Sequence, residues 1–189
     1  MTRSYETIHD EMLVLAAQAG DAAAFASLLR RWLPLMKRHA LRLTGDADAA
    51  EDVAQETCLA LVSGLGRLQD PARAHGWMLR IVTHKAADWV RRRRLDRTLV
   101  RDVKNREPSA APSDILSESQ SGGPEQAARI RQACLQLPMQ LREIVSLHYG
   151  EGTPLAVIAA WLEVPVGTIK SRLHEARAQL KANLERSTP

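Results

Sequence analysis

The 189 residues carry 26 lysines and arginines against 22 aspartates and glutamates, a net charge of +4, with 45% hydrophobic and 25% charged content. That balance suits globular folding with one core or two small ones, and argues against a disordered or fibrous chain. Aromatic residues make up only 4%, while alanine, leucine and arginine dominate, so helices are favoured over strands and an all-α fold is expected. No apolar run approaches the roughly 20 residues that span a bilayer. The opening MTRSYETIHDEM lacks the apolar core of a signal peptide. Cys58 and Cys134 stand far apart with no CxxC spacing, which fits a reducing cytoplasm. A cytoplasmic protein without membrane insertion is expected.

Taken in chain order, residues 10–94 are almost continuously helical in pattern, with breaks near Gly20-Asp21, at Thr44-Gly45-Asp46 and across residues 63–73. The first helix would hold Met12, Leu13, Leu15 and Ala16 on its apolar side. Asp21 is placed to cap a second helix that buries Phe25, Leu28, Leu29, Trp32, Leu35 and Met36. Pro34 inside it implies a kink or a short interruption. A third helix starts near Asp46 or Asp48, its first turns carrying Glu51 and Asp52, which suit the positive end of the helix dipole. A fourth runs from about Ala74 into Arg91-Arg92-Arg93-Arg94, with Trp77, Ile81, Val82, Ala86, Trp89 and Val90 available for a core.

Beyond Leu95 the periodicity fades. Pro108, Pro112, Gly122, Gly123 and Pro124 alternate with Ser, Ala and acidic residues, a linker composition with helix extending at most to about Arg106. Helical spacing resumes at Glu125 with Ile130, Cys134 and Leu137, and continues after Pro138 with Leu141, Ile144, Val145 and Leu147. Residues 153–181, TPLAVIAAWLEVPVGTIKSRLHEARAQLK, then read as two helices joined by a tight turn. Thr153 is placed as N-cap with Pro154 at the first helical position. Leu155, Ile158, Ala159 and Leu162 make one apolar face, and Pro165 stops the helix at the residues before it. The next helix starts at Val166 and carries Lys170, Arg172, His174 and Arg177 on its polar side. Such a pair is either an ordinary helical hairpin or a helix-turn-helix, whose second helix enters the major groove of DNA.

An enzyme is not expected. The six histidines, His9, His39, His75, His84, His148 and His174, are scattered, and the chain has no HExxH, no GxSxG and no glycine-rich phosphate loop. No catalytic residues, no metal ligands and no cofactor are assigned, and both cysteines are read as packing residues.

Three blocks in register carry a resemblance. Residues 21–57 (DAAAFASLLRRWLPLMKRHALRLTGDADAAEDVAQET), residues 76–94 (GWMLRIVTHKAADWVRRRR) and residues 137–181 resemble, in order, the conserved motifs of extracytoplasmic-function (ECF) sigma factors. These are compact specificity subunits of bacterial RNA polymerase. The resemblance implies two small helical domains: a region 2-like domain over residues 10–95, a flexible linker over 96–124 and a region 4-like helix-turn-helix domain over 125–186. It implies three partners: core RNA polymerase, promoter DNA and an anti-sigma factor.

The resemblance also distributes roles. Asp48, Glu51, Asp52, Gln55 and Glu56 fall where the family docks the polymerase clamp helices; their local alternative is a solvated acidic face with no basic residue at i+4. Leu68, Arg80, His84, Lys85, Arg91, Arg92 and Arg93 fall on the surface that binds the −10 element and captures an unstacked base. Four consecutive arginines point around the whole helix, so local pairing cannot neutralise them, and phosphates could. The family usually has asparagine where this chain has His84, and an aromatic residue where it has Leu68. Lys170, Ser171, Arg172, His174, Glu175 and Arg177 fall on the −35-reading helix. Glu175 stands where a basic residue is common; it could accept from cytosine N4, or pair with Arg172 or Gln179. Two alternatives stay open: a helix-turn-helix regulator acting without polymerase, and a sigma mimic that sequesters an anti-sigma factor.

Overall fold

The computed structural model describes residues 5–100 and 123–186. Among them the chain is helical, without strands, as the composition predicts. Helices α1 (Tyr5–Gln18), α2 (Ala22–Thr44), α3 (Ala47–Gly64) and α4 (Ala74–Val100) form one group. Helices α5 (Pro124–Leu135), α6 (Met139–Val145), α7 (Leu155–Leu162) and α8 (Val166–Arg186) form the other. Most of the expected linker, and the expected helical extension to Arg106, lie outside the described residues.

Helix α2 shows why the breaks fall where they do. The Asp21 carboxylate accepts from the N–H groups of Ala23 and Ala24, two donors that the first turn leaves unpaired. At the other end Gly45 takes φ 71°, a left-handed cap whose N–H returns to the Leu41 carbonyl. Between them Ala24, Leu28, Trp32, Met36, Ala40 and Leu43 are buried along one stripe. Pro34 does not interrupt the helix; it sits on the solvent side, where water can satisfy the carbonyl one turn back that its missing N–H leaves free. Asp46 caps α3 by accepting from Ala49 N–H at 3.0 Å.

Two local expectations are corrected. In α1 the buried residue is Val14, while Met12 and Leu15 are 65% and 55% exposed. This surface helix is covered along a narrow stripe, where Gln18 Nε2 donates to the carbonyls of Leu65 (2.9 Å) and Leu68 (2.7 Å). In the second group Thr153 is buried outside α7, its N–H bonded to the Leu147 carbonyl, and Pro154 holds the N-cap position. A π-helical turn over Ser146–Gly150 shifts the register just upstream. It follows α6 without a break, so nothing in the apolar spacing announces it.

The two groups share one continuous core running from Val14, Trp32 and Met78 to Ile144, Ile158 and Ile169. Polar contacts at the seam are equally buried. Arg142, 3% exposed, donates to the carbonyls of Leu43, at the end of α2, and of Leu135 and Leu137, at the end of α5. One guanidinium thus serves the negative ends of two helices, which offsets the cost of burying its charge. Beside it, His39 lies fully buried with Nδ1 2.9 Å from Ser146 Oγ and Nε2 3.1 Å from Thr83 Oγ1.

Candidate nucleic-acid interface

Charge is segregated by element. On α3, Asp48, Asp52 and Gln55 are exposed along one line, at helical spacings of four and three. Glu51 and Glu56 flank them and have tertiary partners: Lys37 Nζ lies 2.6 Å from Glu51, and Lys85 Nζ 3.0 Å from Glu56. The acidic face is therefore less bare than the absence of basic residues at i+4 implies, because its partners come from α2 and α4.

The basic end of α4 is also better paired than local reasoning predicts. Arg91 meets Asp88 at 2.6 Å, Arg92 lies 4.0 Å from Glu56, and Arg93 pairs with Asp46. Arg93 also stacks on Trp89, with 4.8 Å from its guanidinium carbon to the ring centroid. Partial burial alone would raise the Asp46 carboxyl; the Ala49 amide and the Arg93 guanidinium offset this and hold it below its ordinary value. Arg91 and Arg92 keep exposed side chains, 69% and 64% accessible, so these pairs are weak and exchangeable for phosphate. His84 is exposed one helical turn before Asp88, while Leu68 packs half-buried against the core and offers no stacking surface. Arg80 is half-buried and turned toward Glu163 of the other group, at 3.4 Å.

Helix α8 anchors itself through Ile169, Leu173 and Ala176, all buried. The register leaves Lys170, Ser171, His174, Glu175 and Arg177 exposed and Arg172 half-buried. Glu175 accepts from Gln179 Nε2 at 3.1 Å, the local pairing that its spacing offers. Arg177 donates to the Tyr149 hydroxyl at 2.7 Å and lies over its ring, tying α8 to the π-helical turn. Burial pushes the Cys58 and Cys134 thiols up, which favours their protonated form.

Sequence reasoning assigned no role to Glu151, Glu163, Arg142 or Trp161, yet these build the seam between the groups. Glu151 pairs with Arg42, with Arg38 at 3.5 Å. Glu163 pairs with Arg73 at 2.9 Å, and Trp161 stacks on His75 with centroids 5.1 Å apart. The available signal was Glu163 itself, a large charged residue at a helix-turn-helix turn where the backbone turns left-handed.

Comparison with known proteins places the chain. Residues 28–95 match the Sigma-70 region 2 family and residues 127–180 the Sigma-70 region 4 family. The chain is 33% identical over 184 residues to the ECF RNA polymerase sigma factor SigL of Mycobacterium tuberculosis (strain H37Rv), covering 91% of this chain and 95% of that protein. It is 28% identical over 172 residues to the ECF RNA polymerase sigma factor SigW of Bacillus subtilis (strain 168), covering 87% and 91%. Its fold is similar to that of CnrH, solved in complex with the cytosolic domain of CnrY, with TM-score 0.68, 26% identity and coverage of 95% and 99%. Two helical groups in this order, with a region 2 match over the first and a region 4 match over the helix-turn-helix, have one reading: the chain belongs to the ECF sigma factors of the sigma-70 family.

Proposed function

We propose that the chain directs core RNA polymerase to promoters with a division of labour among three helices. Asp48, Asp52 and Gln55, flanked by Glu51 and Glu56, dock the polymerase. The α4 surface with Arg80, His84, Lys85, Arg91, Arg92 and Arg93 captures the −10 strand, with Leu68 in the preceding loop. Lys170, Ser171, Arg172, His174, Glu175 and Arg177 of α8 meet the −35 element. Residues 10–95 and 125–186 act as the two modules and 96–124 as their connection. An anti-sigma partner and a cytoplasmic location, with no chemistry of its own, complete the reading. Neither a regulator acting without polymerase nor a sigma mimic is favoured, since the region 2 match spans the docking helix and both basic surfaces are retained.

The observation that carries the reading is the segregation of charge: an exposed acidic line on α3, and basic side chains along α4 and α8. It is tested by promoter-dependent transcription with purified core polymerase. Asp52→Lys is expected to weaken core binding by about 1–2 kcal/mol, acting mainly on association rate and salt dependence, because it replaces an attraction by a repulsion. Titration of labelled core at several salt concentrations measures this, and unchanged affinity with unchanged helicity would return Asp52 to the solvated class.

For α8, Arg172→Ala is expected to cost about 1–3 kcal/mol on the preferred −35 element and to relax preference at one base. Lys181 is 79% exposed near the end of the helix; its loss should weaken all sequences alike and flatten the salt slope by about one unit. A −35 substitution series separates the two. Equal losses on every sequence for Arg172→Ala would make it a phosphate clamp.

A further inference from the structure

We propose that Tyr149 is a positioning residue for promoter binding. The π-helical turn aims it at Arg177 and so holds that guanidinium, before DNA arrives, ready to grip a backbone phosphate. This rests on the reading of Arg177 as a −35 contact and names the group that sets its pose.

The turn itself is the first observation. Over Ser146–Gly150 the backbone closes with the wider ring of a π-helix, the Glu151 N–H donating to the Ser146 carbonyl at 3.2 Å. A π-turn takes in one residue more than an α-turn, which re-aims the side chains on it, and such turns concentrate at functional sites. Here Ser146 and Leu147 stay buried while Tyr149 emerges 55% exposed. A ring that far into solvent is poorly oriented by burial, yet Tyr149 is held from two sides. Its ring meets His148 edge-on, with centroids 4.8 Å apart. His148 is itself fixed, since its Nδ1–H donates to the carbonyl of buried Thr153 at 3.0 Å.

On the other side stands Arg177. Its Nε–H donates to the Tyr149 hydroxyl at 2.7 Å, and its guanidinium carbon lies 5.8 Å from the ring centroid. That bond uses Nε and leaves the two terminal nitrogens for an outside acceptor. Together they form a fork that meets two oxygens of one phosphate. The partner is a neutral hydroxyl where Arg73, Arg91 and Arg93 have carboxylates, so fixing the side chain does not cancel its charge. Arg177 stands about three turns into α8. That is past the N-terminal residues of such a helix that meet base edges, so phosphate is the acceptor assigned to it. Ordering a long arginine side chain opposes binding, and Tyr149 meets that cost during folding instead.

Tyr149→Phe tests this, since it removes the hydroxyl, keeps the ring and leaves the fold intact at an exposed position, with helicity as the check. It is compared with Arg177→Ala and with the double variant, each as the full-length chain in preassembled polymerase holoenzyme. The probe is a fluorescein-labelled duplex that the wild-type holoenzyme selects from a random-sequence pool, titrated at several salt concentrations. Arg177→Ala should weaken binding about tenfold and flatten the salt slope by about one unit, as one phosphate contact is lost. Tyr149→Phe should weaken binding about threefold with the slope unchanged, because the arginine still reaches its phosphate but has to be ordered first. In the Arg177→Ala background, Tyr149→Phe should have no effect. A merely structural tie would instead lower the urea midpoint and leave DNA affinity alone. If Arg177→Ala behaves as expected while Tyr149→Phe binds like wild type, the hydroxyl does not position the arginine and the proposal fails alone. Equal losses from Tyr149→Phe with and without Arg177 would overturn it too, since Tyr149 would then act by itself. If Arg177→Ala changes neither affinity nor slope, the reading of Arg177 as a −35 contact fails and takes the proposal with it.

Discussion

Replacing Trp32 by alanine is expected to cost about 3–5 kcal/mol of folding stability, the range for deleting a large buried aromatic side chain. Trp32 is 2% exposed in the middle of α2. Its Nε1–H donates to Asp10 Oδ2 at 2.9 Å, while Arg31 holds the other oxygen of that carboxylate at 2.6 Å. Its ring approaches His75 of α4 with centroids 6.2 Å apart. The single side chain thus joins α1, α2 and the start of α4, and alanine would leave a cavity among helices that cannot all collapse into it. Trp32→Phe keeps most of the packing and loses the hydrogen bond, so about 1–2 kcal/mol is expected. Leu59, 71% exposed on α3, is the control, where alanine should change stability by no more than about 0.5 kcal/mol. Urea denaturation midpoints at constant slope measure all three. A Trp32→Ala loss no larger than that of Leu59→Ala would mean that α1 is not fastened through this residue.

The parts of the fold legible in the sequence are those governed by neighbours along the chain. The Asp21 cap, the Gly45 stop, the start of α4 at Ala74 and the tight turn before Val166 each depend on local backbone chemistry, and each is found where the residues place it. The exposed side of α8 was legible for the same reason, since burying Ile169, Leu173 and Ala176 fixes which side faces outward. Illegible were the features that depend on distant segments. Glu56 meets Lys85 and Arg93 meets Asp46 only because α3 and α4 pack side by side, so acidic and basic runs that look unpaired along the chain neutralise one another in part. Apolar spacing in α1 admitted Met12 and Leu15, because spacing identifies a side and not how much of it another helix covers. The seam was hidden altogether: Arg42 and Glu151 are 109 positions apart, and no local pattern links them.

Acid is expected to weaken the folded chain through His39, which lies in that seam. Burial, and after it the nearby Arg42 guanidinium, lowers its imidazole from 6.5 to about 3. Between those values the native ring stays neutral while the ring in the unfolded chain binds a proton. The contribution of His39 is therefore complete above pH 6.5 and falls by about 1.4 kcal/mol per pH unit as the solution is acidified toward pH 3. At about pH 4.5, roughly two units into that window, the loss is about 3 kcal/mol. Two neighbours act on the same measurement. His75, lowered chiefly by burial, adds a loss of the same sign. Glu143 opposes both: burial raises its carboxyl, against Thr83, Arg80 and Arg172, so in acid the native state takes up that proton more readily than the unfolded chain. Comparing wild type with His39→Gln cancels both neighbours, since the amide can still bond Ser146 and Thr83 but does not titrate. Urea denaturation at a series of pH values should show wild type losing about 3 kcal/mol more than His39→Gln between pH 6.5 and about pH 4.5. Parallel pH profiles would mean that His39 takes up its proton in the folded chain as readily as in the unfolded one, and that burial does not hold the ring neutral.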